Sequence, residues 1–193
     1  MYNPKEDSYL IQKHIKEFCN KNSIVLDMGT GSGILAGEAA KYAKHVEAVD
    51  IDNEVIKELR CKLNVNKAIV HNSTHSSSKA RSKIKFLQSN LFSSLNKKTK
   101  FDLIIFNPPY IPTKKQETRF VDLDGGKNGA EIIEKFLKQA KQFLKRDGKI
   151  LLLTSSLNKN IESLFKKYNY TYLALDEEKF FFEKLYVWVL ESR

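Results

Sequence analysis

The residues with the clearest chemical use stand together at 107–110, where Asn107-Pro108-Pro109-Tyr110 follows the apolar run Leu103-Ile104-Ile105-Phe106. Such a run is the pattern of a strand buried on both faces of a parallel sheet. Two prolines then end it, because neither can donate a ladder hydrogen bond. They also hold Asn107 and Pro108 near extended geometry. The result is a rigid polar corner at the carboxyl end of a buried strand, where open α/β sheets place their ligands. Asn107 Oδ1 and the Pro108 carbonyl are both acceptors, and Tyr110 adds a flat face beside them. Such a corner suits a planar –NH2 group, taking its two hydrogens while the ring packs on its plane. A strand followed by a Pro-Pro turn with no ligand is the plainer reading of these four residues alone.

The second informative stretch is Asp27-Met28-Gly29-Thr30-Gly31-Ser32-Gly33, which follows the apolar residues 24–26. Its glycines fall at 29, 31 and 33, whereas a dinucleotide fingerprint needs its third glycine where Ile34 stands. The backbone can approach a ligand here, but the pyrophosphate spacing is missing. Asp27 repels a phosphate and favours a cation or an amine. Asp50, at the end of a second strand, is placed to accept from ribose hydroxyls. A nucleoside with a positive centre and an amino-acid tail fits this set better than NAD does, and S-adenosylmethionine is that molecule.

The elements that position these residues alternate helix and strand. Strands are expected over 23–27, 46–50, 84–88, 101–106 and 149–154. A last pair, about 170–175 and 184–190, is joined by the short loop 176–179, which implies an antiparallel end to a mostly parallel sheet. Helices are expected over 7–20 with Asp7 as N-cap, from the glycine turn through Lys44, and over 53–65, 131–144 and 157–168. Residues 71–83 lack periodicity and apolar content, which predicts a mobile polar insertion.

The chain has 193 residues, 41% of them hydrophobic, which suits a single domain over 1–193 with one sizeable core. No apolar run approaches the ~20 residues that span a bilayer, and Met1–Asp7 lacks the basic start and apolar centre of a signal peptide. Cys19 and Cys61 make no metal-ligand spacing. A cytoplasmic protein with reduced cysteines and no metal site is therefore expected. The net charge of +10 favours a polyanionic neighbourhood such as ribosome-bound RNA or an acidic protein. The scattered lysines fit a bland solvated surface equally well.

Taken together, these motifs resemble the class I methyltransferases, and within them the HemK/PrmC-type glutamine methyltransferases. Asp27–Gly33 matches the cofactor motif, Asp50-Ile51-Asp52 the ribose-binding strand end, and Asn107–Tyr110 the substrate tetrapeptide. The opening Tyr2-Asn3-Pro4-Lys5-Glu6-Asp7-Ser8-Tyr9-Leu10 is similar to that of the archaeal and eukaryotic branch. So is the glycine-rich segment 123–131. The resemblance implies a Rossmann-like α/β fold with a seven-stranded, mostly parallel sheet in the order 3-2-1-4-5-7-6. It implies an enzyme that methylates the Gly-Gly-Gln glutamine of class-1 release factors, in translation termination. It places Ser8, Asp27, Gly29, Thr30, Gly31, Gly33, Asp50, Asn90, Leu91 and Asn107 at the cofactor, and Asn107, Pro108, Pro109 and Tyr110 at the reacting amide.

Ser8 replaces a threonine and keeps its hydroxyl. Asn90 replaces an aspartate that accepts from the adenine amine, and so accepts without charge assistance. The resemblance also implies a small zinc-binding activator subunit. The implied sheet order makes strand 84–88 an exposed edge, with apolar side chains on both faces, where that partner would dock. An adenine exocyclic-amine methyltransferase on DNA or RNA is a competing reading, as is a catalytically idle binding module that keeps the fold.

Overall fold

The fold is built around β4 (Phe101–Phe106), whose alternating side chains separate two cores. Leu103 and Ile105 pack into one apolar cluster, Phe101, Ile104 and Phe106 into the other, and all five are buried. A strand with no polar face must lie at the centre of a covered sheet. Burying each such side chain contributes about 1.5–3 kcal/mol. In this computed structural model the described residues are 6–70, 83–109, 130–180 and 182–192, and the side chains of 6 and 63–70 lie outside the description. The expected polar insertion over 71–82, Tyr110 and the glycine-rich segment 123–129 also lie outside the described residues.

β1 (Ile24–Met28), β2 (His45–Asp50), β3 (Ile84–Gln88), β5 (Leu144–Ser155), β6 (Tyr170–Lys179) and β7 (Lys184–Ser192) complete a sheet of order β3-β2-β1-β4-β5-β7-β6. β1 to β5 pair in parallel, whereas β7 runs antiparallel to both β5 and β6. The order and the antiparallel end agree with the expectation. One face is covered by α1 (Glu6–Gln12), α2 (Ile15–Phe18), α3 (Ile34–Tyr42) and α4 (Asn53–Val70). α5 (Glu131–Ala140) and α6 (Ile161–Lys167) cover the other.

Several boundaries depart from expectation, each for a tertiary reason. The first helix is interrupted at 13–14, where Lys13 and His14 both turn to Asp176 on β6, at 2.6 and 2.9 Å. Residues 176–179 are strand rather than loop. A register shift between Ala174 and Asp176 lets β6 continue with these polar residues along its open edge. The hairpin closes further on, where Phe180 N donates to the Glu183 carbonyl. The helix from Glu131 stops at Ala140, a single 3-10 turn follows, and Leu144 already pairs with Phe101. α6 begins only at Ile161, after Asn160 takes a left-handed conformation. Lys83, expected within the insertion, is held instead: its ammonium donates to the Ala43 and Ala40 carbonyls at the end of α3.

Candidate active site

The parallel register brings the carboxyl ends of β1, β2 and β4 side by side. Met28 lies opposite Phe106 on β4 and Val49 on β2, so the glycine turn, Asp50 and Asn107 leave the sheet at one edge. Gly29, Gly31 and Gly33 all have positive φ, 64°, 50° and 78°, a region in which any side chain is strained. At Gly33 a Cβ would also come within 3.0 Å of Leu59. Thr30 N donates to the Val49 carbonyl and Gly31 N to Asp50 Oδ2, at 2.8 and 2.9 Å, which ties the turn to the end of β2.

Asp27 lies under this turn and is 1% exposed. Its Oδ2 accepts from Thr30 Oγ1 at 2.6 Å and from Ala36 N at 2.9 Å, satisfying an amide in the first turn of α3. Among the described residues nothing donates to its buried Oδ1. Burial raises the Asp27 carboxyl to about 7, and the Asp50 charge adds to the rise, against the two hydrogen bonds. Asp50 is itself buried, and its Oδ1 accepts from Asp52 N at 3.0 Å. It therefore shapes the turn in addition to the ribose role expected of it.

The end of β3 joins the same edge, because Ser89 N donates to the Asp50 carbonyl. Ser89 Oγ holds the Leu91 carbonyl at 2.6 Å, and Leu91 has a positive φ of 49°. Asn90 is exposed, with its backbone N donating to Ser93 Oγ.

Asn107 follows β4 and is joined there by α1. Its Nδ2 donates to Asp7 Oδ2 at 3.1 Å and lies 3.4 Å from Ser8 Oγ. Asp7 and Ser8 are both buried, at 4% and 3% exposure. Asn107 Oδ1 is buried, and nothing among the described residues donates to it. Pro108 is buried and Pro109 half-buried. The structure thus brings Ser8, Asp27, Gly29, Thr30, Gly31, Gly33, Asp50, Asn90, Leu91, Asn107, Pro108 and Pro109 to one edge of the sheet. Asp7 is placed differently from its expected role as N-cap. It lies inside the first turn of α1 and reaches the tetrapeptide, a contact that no spacing in the sequence announces.

Residues 6–182 match the methyltransferase small domain family. The chain belongs to that family. It is a methyltransferase, and its curated relatives share the assignment. A putative protein N5-glutamine methyltransferase of Methanocaldococcus jannaschii is 34% identical over 173 residues, covering 86% of this chain and 78% of that protein. A release factor glutamine methyltransferase of Buchnera aphidicola (subspecies Schizaphis graminum) is 30% identical, over 86% of this chain and 60% of its own length. Among solved structures, the E. cuniculi Mtq2–Trm112 complex, responsible for methylation of the eRF1 translation termination factor, superposes with a TM-score of 0.69. That match covers 100% of this chain and 98% of the other at 23% identity, a likeness of fold.

Proposed function

We propose that this methyltransferase modifies the side-chain amide nitrogen of a glutamine, that of the Gly-Gly-Gln tip of a class-1 translation release factor, with S-adenosylmethionine as donor. The observation that carries the reading is Asn107 Oδ1, a buried acceptor with no donor among the described residues, next to the Pro108 carbonyl. An orphaned buried acceptor is costly, and a primary amide supplies the hydrogens it lacks. The names of the archaeal and bacterial relatives support glutamine as the residue modified.

The donor set fits S-adenosylmethionine. Asp27 has a buried oxygen with no donor among the described residues, suited to a cationic group, and the left-handed glycine turn leaves its backbone open to close approach. Ser8, Asp27, Gly29, Thr30, Gly31, Gly33, Asp50, Asn90, Leu91 and Asn107 would hold the cofactor. When bound, it supplies an electrophilic methyl on a sulfonium centre.

The chain's own residues do the rest. An amide nitrogen is a poor nucleophile because its lone pair is delocalised into the carbonyl. Asn107 Oδ1 and the Pro108 carbonyl take both its hydrogens and fix its direction, and that alignment is most of the catalysis. As positive charge grows on the nitrogen, the same two acceptors bind it more strongly. Pro109 holds the Pro108 carbonyl in place, and the departing proton goes to water.

The proposal includes a small zinc-binding activator docked along β3, an edge strand of the sheet. The eukaryotic complex of the same fold pairs its methyltransferase with a second chain. No helix among the described residues is long and apolar enough to cross a membrane, and the reading places the enzyme in the cytoplasm, where release factors act.

Transfer of a radiolabelled methyl group to a release factor, and to its variant with the tip glutamine changed to alanine, tests the function. Labelling that depends on the glutamine is expected. Labelling of adenine in RNA or DNA offered in parallel, or no labelling of either, would overturn it.

A further inference from the structure

Asn107 can act as described only if its amide points one way. Its two ends have almost the same shape, but one is an acceptor and the other a double donor. Presented with Nδ2 outward, the corner would repel the hydrogens of an incoming –NH2 group. Among the described residues of the tetrapeptide, nothing selects the orientation. The selecting group comes from 100 residues away: Asp7 Oδ2, on α1, stands 3.1 Å from Asn107 Nδ2.

We infer that Asp7 is the positioning residue of this site, a buried carboxylate that holds Asn107 Nδ2 inward and so turns Oδ1 toward the substrate. An ionised carboxylate accepts hydrogen bonds and donates none, so it can face only the Nδ2 end. A flipped amide would set acceptor against acceptor, which disfavours that form about tenfold or more. Asp7 is itself fixed, because Ser8 N donates to its Oδ1 at 2.7 Å. Ser8 Oγ, 3.4 Å from Nδ2, adds a second acceptor on the same side. Both contacts lie on the Nδ2 side, Asp7 being the one that cannot donate, and the cost of an Oδ1 with no donor among the described residues is borne in advance of substrate binding. The role of Asp7 in catalysis rests on the glutamine reading above. Its hold on Asn107 does not.

The two are separated by measuring orientation and turnover independently. In 15N-labelled protein without acceptor, the Asn107 NH2 signal is identified by its loss in Asn107→Asp. Its protons are expected to exchange with solvent at least about tenfold slower than those of a free amide, a measurement that needs no altered Asp7. In Asp7→Asn, the protection is lost while cofactor affinity and Tm stay near wild type. For turnover, kcat on the release-factor substrate should fall about 100-fold in Asp7→Asn, with KM changed little. Asn107→Asp alone should fall comparably, because its carboxylate would then face that of Asp7.

The double exchange Asp7→Asn/Asn107→Asp restores a donor opposite an acceptor and leaves an oxygen toward substrate. It should recover at least about tenfold over either single variant, a reciprocity that a purely structural role for Asp7 would not produce. An unprotected Asn107 amide in the wild type overturns the inference. So does wild-type kcat in folded Asp7→Asn, or a double variant no better than the singles. If Asn107 is protected through Asp7 while wild-type enzyme labels no glutamine, the proposed function falls and the positioning role stands.

Discussion

At the end of β4 one side chain meets two demands, since Asn107 must be held from within and still offer an acceptor outward. Removing it should therefore separate binding from chemistry. Asn107→Ala is expected to lower kcat by at least about 100-fold and to weaken cofactor binding far less, since nine other residues share that task, checked by calorimetry alongside single-turnover labelling. Asp27 gives the site a pH dependence of definite sign. Burial raises its carboxyl to about 7, so the group is increasingly protonated below that pH, and a cationic cofactor must expel the proton to bind. Cofactor affinity should weaken by up to about tenfold per unit as pH falls from 7 to 5. The same titration on Asp27→Asn should be flat, and a wild type as flat as the variant would remove Asp27 from the cofactor. Asn107, Asp27, Asp50 and the glycine turn were all legible in the sequence, because each sits at the end of a strand whose own residues announce it. The Asp7–Asn107 contact was not. It depends on how α1 docks against the end of β4, which no local pattern encodes.

Among the elements, β3 is the edge strand along which an activator is proposed to dock. The apolar side chains expected on both faces of this edge strand do not all offer surface to a partner, because Phe86 is 7% exposed and packs in the core with α3 and α4. A charge placed there would damage the fold and confuse any test of docking. The Lys83 carbonyl and Ser89 N bond to β2, and backbone groups alternate along a parallel strand. The backbone of Gln88 therefore faces away from the sheet, and its residue is exposed. Proline is tolerated at such an edge position while removing the donor that an added strand requires. Gln88→Pro should keep cofactor binding and lose co-purification with a co-expressed activator. Stoichiometric recovery of the pair would exclude docking along β3. The strands themselves were readable because apolar runs bounded by turn residues specify them directly. The break at Lys13–His14 and the extension of β6 were not, since Asp176 joins elements distant in sequence and a polar edge strand carries no apolar signature.

For the molecule as a whole, an open sheet leaves two ends, β3 and β6. The end at β3 bears a small feature with a large consequence. Arg60, on α4, donates to the Phe86 carbonyl at 2.7 Å, and by the same alternation that carbonyl points outward. An uncovered edge is a template for any extended chain, a second copy of the same protein included. Filling its central acceptor from within denies a stray strand one rung of the ladder, while a true partner has only to displace a single flexible guanidinium. On this geometry Arg60 is expected to act as a safety catch against self-assembly, one that a proper partner could release. Arg60→Ala should leave the methyl-transfer site intact, yet make the protein alone associate as its concentration rises, read by sedimentation or light scattering. A variant that stays as monodisperse as the wild type would show that the catch restrains nothing. If the association appears, the lone enzyme's solubility depends on one arginine that takes no part in its chemistry.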